Sequence, residues 1–367
     1  MALNKYLGRI NVVANDSSKK KNLFQIGKEV INLTIADSKV PLHYASKFLY
    51  RKESGNYKNY LTTEEEVQVR FSQNLHSLAF HTLLKNKLSS ALYFEECGLS
   101  IPKMYLHNTA NLFFTDVAQH VLNTKEQLIK LLKQVFETQN IDSLFAKELA
   151  ESGGSGCFLI KKNNLEKQIG NIGDELLKKS FVYQETIQQH SDLVEIHPNS
   201  LNTIRFETYI DKKGKTHIVS CYIRFGVGTS VVDNAGAGGF FMAIDKSSGK
   251  LKGKGYQKLK ADGGARLFTQ HPDSNYKLEN FEIPHFEKAC DLVFDAVSYV
   301  PERYVGWDIA IGEEGPVLIE GNAAPHIILG DIAYGGYKNH PLYEEILEEA
   351  YKKPIHTDKI MYFKNMK

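Results

Sequence analysis

YVGWDIAIGEEGPVLIEGNAAP, Tyr304 to Pro325, reads as two short strands joined by a tight turn. In the first strand Trp307, Ile309 and Ile311 alternate with Asp308 and Ala310, which sends Asp308 to the face opposite the apolar side chains. GEEG, Gly312 to Gly315, supplies the turn, and Pro316 to Ile319 return before Glu320, Gly321 and Asn322. Glu320 and Asn322 are two apart and share a strand face, which an antiparallel return brings level with Asp308. Three oxygen donors therefore converge. Oxygen donors with room left for water and phosphate are what Mg²⁺ selects. Taken alone, an acid pair on a hairpin also fits a solvated edge; the rest of the chain decides.

Upstream, SLFAKELAESGGSGCFLIKK, Ser143 to Lys162, reads as a hairpin whose first strand carries Lys147 and whose tip is Gly153, Gly154, Ser155 and Gly156. A tip that is nearly all backbone lets amides approach phosphate oxygens closely, and Lys147 directs charge at the same oxygens. A plain turn is the alternative. No Lys-Ser or Lys-Thr follows to open a helix, so this is not a Walker loop. Arg205 in SLNTIRFETYID and Arg224 in CYIRFGVGTS lie within strands between Ile and Phe, and arginines so placed need an anionic partner. A phosphoryl group, a substrate carboxylate or an edge acid would serve. DNAGAGG, Asp233 to Gly239, then interrupts strand character, and Gly238 and Gly239 suit a loop against which a substrate lies closely. His271 opens a long polar connection to Glu287, where it either touches substrate or is solvated.

The order of an upstream lysine, a glycine-rich loop, then Asp308, Glu320 and Asn322 resembles the ATP-grasp superfamily, in which an acid followed by Glu-x-Asn holds two magnesium ions against ATP. GWDIAI with LIEGNAAP, NTIRFETYI and DNAGAGG is closer still to the branch called sugar-transfer-associated ATP-grasp, over about Tyr50 to Leu342. The resemblance implies an α+β ATP-grasp fold in which two α/β lobes clamp ATP. The expected division is a mostly helical segment over 1–84, a smaller lobe over 85–195, a larger lobe over 196–345, and a terminal helix and tail over 346–367. It also implies roles. Lys87 and Lys147 contact phosphates beneath the Gly153 to Gly156 flap; Gln184, Glu185 and the Ile187 amide face adenine; Asp192 or Gln189 accepts from the ribose; and Asn234 stands with the substrate loop. Arg205, Arg224 and Lys147 become the catalytic cations, and Mn²⁺ can stand in for Mg²⁺. The activity implied is ligation of a small-molecule carboxylate to an amine through an acylphosphate, the acid being a sugar acid or amino acid bound for a surface polysaccharide or natural product. An ATP-grasp kinase acting on an alcohol and a non-catalytic nucleotide-binding module are the rival readings.

The bulk numbers set the frame. A chain of 367 residues with 42% hydrophobic and 24% charged residues builds two or three lobes with substantial cores. The net charge of +2 argues against a nucleic-acid partner, which selects a marked surplus of Lys and Arg. Cys97, Cys157, Cys221 and Cys290 are scattered, fitting neither a zinc knuckle nor a disulfide framework. No apolar run approaches the ~18 residues that span a bilayer, so a cytoplasmic protein is expected. Apolar spacings of three and four in NLFQIGKEVINLTIA mark a helix, with KKKN before it read as a solvated loop. From Glu64 to Lys87 the pattern predicts one long helix opened by Thr62 or Thr63.

Overall fold

The computed structural model describes residues 8, 10–149, 156–230, 233, 238–260 and 263–353. The N-terminal part is helical, with α1 (Leu23–Asp37), α2 (Leu42–Ser46), α3 (Thr63–Phe71), α4 (Leu78–Lys85) and α5 (Lys87–Glu96). The single helix expected from Glu64 to Lys87 is thus broken twice, and small polar side chains explain the breaks. Ser72 Oγ donates to Ala350 O, Ser77 Oγ accepts from Phe80 N, and Asn86 Oδ1 accepts from Leu88 N and Ser89 N. Such residues offer the backbone partners outside the helix ladder, so they end one helix and cap the next. Thr62 and Glu65 close the capping box that starts α3.

The first sheet comprises β1 (Met104–Thr109), β2 (Leu112–Thr115), β3 (Gln119–Val121), β4 (Ser143–Glu148), β5 (Cys157–Lys161) and β6 (Phe181–Gln184). Its order is β3-β2-β1-β6-β4-β5, antiparallel throughout. Helices α6 (Lys125–Thr138) and α7 (Leu165–Lys178) cover it with apolar stripes such as Leu128, Leu131, Leu132, Val135 and Phe136. The expected Lys147 hairpin is present, with Lys147 opposite Cys157.

After α8 (Ser191–Ile196) comes a seven-stranded antiparallel sheet. Its strands are β7 (Thr203–Ile210), β8 (Thr216–Phe225), β9 (Phe240–Ile244), β10 (Leu251–Gln257), β11 (Leu267–Phe268), β12 (Tyr304–Ile311) and β13 (Pro316–Asn322), ordered β11-β10-β9-β8-β7-β12-β13. Period-two alternation splits its central strands cleanly. Ile204, Phe206, Val305, Trp307, Ile309 and Ile311 pack with α9 (Phe286–Tyr299) on one face. The other face carries Arg205, Glu207, Tyr209, Tyr304 and Asp308, and the N-terminal helices, α10 (Ile328–Ala333) and α11 (Tyr343–Tyr351) close over part of it. The N-terminal segment is therefore part of the core, with Phe48 and Tyr50 packed in one cluster with Tyr222 and Phe241. Buried Lys47 bridges Glu66 and Asp331 at 2.5 Å each, tying that segment to α10.

Candidate active site

Asp308 sits in the middle of β12, opposite Arg205 on β7 and opposite Glu320 on β13. That register places a guanidinium on one side of a buried carboxylate and a second carboxylate on the other. Arg205 Nε donates to Asp308 Oδ1, and Arg205 Nη2 donates to Oδ2 at 3.0 Å, a bidentate fork. Arg224 Nη2 adds a third bond to Oδ2 at 2.9 Å. Behind Arg224, Thr203 Oγ1 accepts from its guanidinium while donating to Asp233, whose Oδ2 lies 3.4 Å from Arg224 Nε. The sequence left the partner of these arginines open between a ligand and an acid of the chain; here it is Asp308 with Asp233.

The electrostatics follow from burial. Desolvation alone would raise the Asp308 pKa, but Arg205 and Arg224 overcome it and hold the carboxyl well below its usual range. Glu320 moves the other way, pushed up by burial and then by the Asp308 charge within hydrogen-bonding reach. Asn322 Nδ2 donates to Glu320 Oε1 at 3.2 Å. Two carboxylates pressed together in a shielded place, with an amide beside them, form an all-oxygen donor set that suits a hard divalent cation such as Mg²⁺. Gly321 between them is required by space. A Cβ there would stand 2.8 Å from Leu84 Cδ2 and 2.9 Å from the Trp307 ring.

The first sheet faces this group with Lys147. Burial lowers the Lys147 pKa, Glu320 opposes that, and Lys87 at the first turn of α5 repels it. Cys157, opposite Lys147 in the hairpin, feels both lysines. Lys87, Lys147, Arg205, Arg224, Asp308, Glu320 and Asn322 thus gather where the two sheets meet. Backbone bonds fix that meeting: Leu318 N donates to Ser100 O, His190 N to Ile311 O, and Ser191 N to the Glu313 carboxylate in the GEEG turn.

The remaining expected residues are placed as follows. Gln184 is buried with Nε2 toward Pro102 O, and the Glu185 amide and carboxylate both pair with the Lys103 backbone. Ile187 is half-buried in the segment that follows. Of the two ribose candidates, Gln189 is committed to Asn202 and His197, whereas Asp192 is exposed at the start of α8. Gly156 has φ +68 beside Glu148, and Gly238 has φ +109 and accepts from Gln257. Gly239 is buried next to β9. Gly153, Gly154, Ser155 and Asn234 lie outside the described residues.

His271 is not solvated. It is fully buried, with Nε2 at 2.9 Å from Gly226 O and Nδ1 accepting from Asp273 N. Phe225 and Phe240 surround its ring, so the polar connection starts from an apolar pocket. His197, His271 and Asp273 lie close enough to suggest a metal, but both nitrogens of His271 are already engaged and its ring stacks on His197 at 4.7 Å. Stacked rings aim their lone pairs side by side. What sequence reasoning missed is the Thr203 and Asp233 support of Arg224, and Arg70 of α3, which reaches the loop after Asn322. Thr203, two residues before Arg205, was a readable same-face signal; Arg70 had none.

With this geometry in view, comparison with known proteins gives a family. The model of sugar-transfer associated ATP-grasp matches residues 66–342. Among curated proteins none matches. Similar solved structures include D-alanyl-alanine synthetase A from Vibrio cholerae, at 15% identity and TM-score 0.45, covering 74% of this chain and 65% of that one. Biotin carboxylase from Campylobacter jejuni stands at 9% identity and TM-score 0.46, covering 76% and 48%. D-Alanine–D-alanine ligase from Bacillus anthracis stands at 14% and 0.43, covering 79% and 74%. The chain thus spans less than two thirds of the length of the first two structures. None of the described helices is long and apolar enough to cross a membrane. The family match takes in more than half of the chain and every residue gathered between the sheets, and the chain belongs to the sugar-transfer associated ATP-grasp family.

Proposed function

We propose that the protein is an ATP-dependent carboxylate–amine ligase. The observation that carries this reading is buried Asp308 beside half-buried Glu320, with Asp308 held by Arg205 and Arg224 and the pair faced by Lys147 from the other sheet. Fixed cations and an oxygen donor set opposite one another are what a triphosphate needs, and no side chain there has to act as a nucleophile. Asp308, Glu320 and Asn322 would hold Mg²⁺, which when bound neutralises phosphate charge. Lys147 from the first sheet and Lys87 from α5 would neutralise the phosphate oxygens. Arg205 and Arg224 keep Asp308 ionised and fix its orientation, so the donor set is built before ATP arrives. One carboxylate oxygen of the acid attacks the γ-phosphorus, the bond to the β,γ-bridging oxygen breaks, and ADP leaves with that electron pair. The amine then attacks the acyl carbon and phosphate departs, the amine's proton going to solvent or phosphate.

The choice of a carboxylate over an alcohol rests on proton chemistry. A carboxylate is ionised at neutral pH and needs only alignment, whereas an alcohol usually needs a positioned base. His271, the imidazole candidate for that base, has both nitrogens engaged in a buried pocket. The test is incubation with Mg²⁺, ATP and hydroxylamine over a panel of sugar acids and amino acids. The ligase reading expects ADP, phosphate and a hydroxamate with at least one acid. A stable phosphorylated alcohol without hydroxamate would replace it with the kinase reading.

A further inference from the structure

Arg205 and Arg224, the two arginines that sequence offers for an acid substrate, each turn Nε and Nη2 to partners among Asp308, Asp233 and Thr203. A third arginine stands differently. Arg70 projects from α3 toward the loop after the Glu320–Asn322 pair, with Nη2 at 3.5 Å from Ala324 O and 3.2 Å from His326 Nε2. Its Nε is shielded from solvent and has no hydrogen-bond partner among the described residues. The nearby anion, Glu66, is already bound 2.5 Å from Lys47 Nζ, which also holds Asp331. Burial lowers the Arg70 pKa, the Glu66 charge opposes that, and the Arg205 charge lowers it again. Gly306 lets Pro325 and Arg205 pack closely at this corner: a Cβ there would stand 2.7 Å from Pro325 Cβ and 3.3 Å from Arg205 Nη1, the nitrogen turned away from Asp308. Shielded guanidinium nitrogen without a partner costs stability unless an anion supplies one.

We infer that Arg70, with Arg205 Nη1 beside it, is the anchor for an oxyanion of the second substrate, a carboxylate held against the Ala324–His326 loop. Its planar fork can donate to two carboxylate oxygens at once, and the site lies next to the proposed phosphate chemistry. The inference rests on the ligase reading for the nature of the anion. It also gives the N-terminal helical segment a role in the site, since α3 delivers Arg70 and the Lys47–Glu66–Asp331 bridge fixes α3 to α10.

The test needs no turnover. Thermal melts of the full chain with Mg²⁺ and a non-hydrolysable ATP analogue are run at constant ionic strength in chloride, acetate or phosphate, for the parent, Arg70→Met and Arg70→Lys. Acetate is expected to raise the parent melting temperature, to do so less in Arg70→Lys, and to leave Arg70→Met unmoved. In chloride alone Arg70→Met should melt at or above the parent, because a shielded, poorly paired charge is gone. If Arg70→Met melts well below the parent in chloride, or keeps the acetate shift, the residue is a structural brace and the inference fails. A shift with phosphate and none with acetate overturns the carboxylate assignment. Where an acid supports hydroxamate formation, Arg70→Met should raise KM for that acid by about 10- to 100-fold, with KM for ATP unchanged. An equal rise in both would overturn it. Failure of the ligase reading would appear separately, as absence of hydroxamate with the acetate shift intact.

Discussion

Glu207 shows how tightly single residues are poised around the site. It lies on β7 two residues from Arg205, on the same face, with no exposure to solvent. Oε2 accepts from Tyr304 OH at 2.8 Å and Tyr337 OH at 2.7 Å, while Oε1 has no partner among the described residues. Burial raises its pKa from 4.5 to about 7, against the pull of those tyrosines and of Arg205. A raised carboxyl pKa means that the folded state holds the proton more tightly than the unfolded chain. Its contribution to stability is therefore complete below about pH 4.5 and is lost as pH rises through about 7. The loss amounts to about 3 kcal/mol across that window. Denaturant unfolding of the parent at pH 5 and pH 8 should show that fall, and Glu207→Gln should remove most of it. Parallel pH profiles for parent and variant would contradict the assignment. None of this was readable in the sequence, because the tyrosines that bury Glu207 come from β12 and from the turn after α10, far along the chain. Asp308, Glu320 and Asn322 were readable, because strand alternation and a tight turn are local facts.

At the scale of elements, the β12–β13 hairpin carries the donor set, and its precision comes from packing behind it. Pairing shifts between Asp308 and Ile309, and Gly321 fits between Leu84 of α4 and the Trp307 ring. Gly321→Ala would therefore overpack the strand, at a cost of about 1–3 kcal/mol, and move Glu320 and Asn322 relative to Asp308. The expected result is a folded variant whose catalysed ADP release drops by more than its stability accounts for; adding Leu84→Ala should recover part of it. Unchanged turnover in Gly321→Ala would contradict the account. Elements also mark where local patterns fail. The break between α3 and α4 depends on Ser72 reaching Ala350 O and on Ser77 N meeting Glu302, contacts made by distant parts of the chain. Gln189 looked like a ribose acceptor because its own segment is polar, yet Asn202 claims its oxygen. His271 looked solvated for the same reason and is buried by Phe225 and Phe240.

The whole molecule sets two antiparallel sheets so that Lys147 of one faces Glu320 and Asp308 of the other. The carboxylates come from one sheet and Lys147 from the other. The central claim is that Mg²⁺ and ATP bind across this meeting, and the two halves can be removed one at a time. Glu320→Ala takes a carboxylate from the proposed metal donors, and Lys147→Ala takes a cation from the opposite sheet. The most direct measurement is calorimetric titration of a non-hydrolysable ATP analogue with Mg²⁺ into the parent and each variant, with unfolding curves to verify that all three are folded. The account predicts measurable binding by the parent and weakening of about tenfold or more in both variants, equivalent to about 1.4 kcal/mol or more. Parent-like affinity in both variants, with the fold intact, would contradict it.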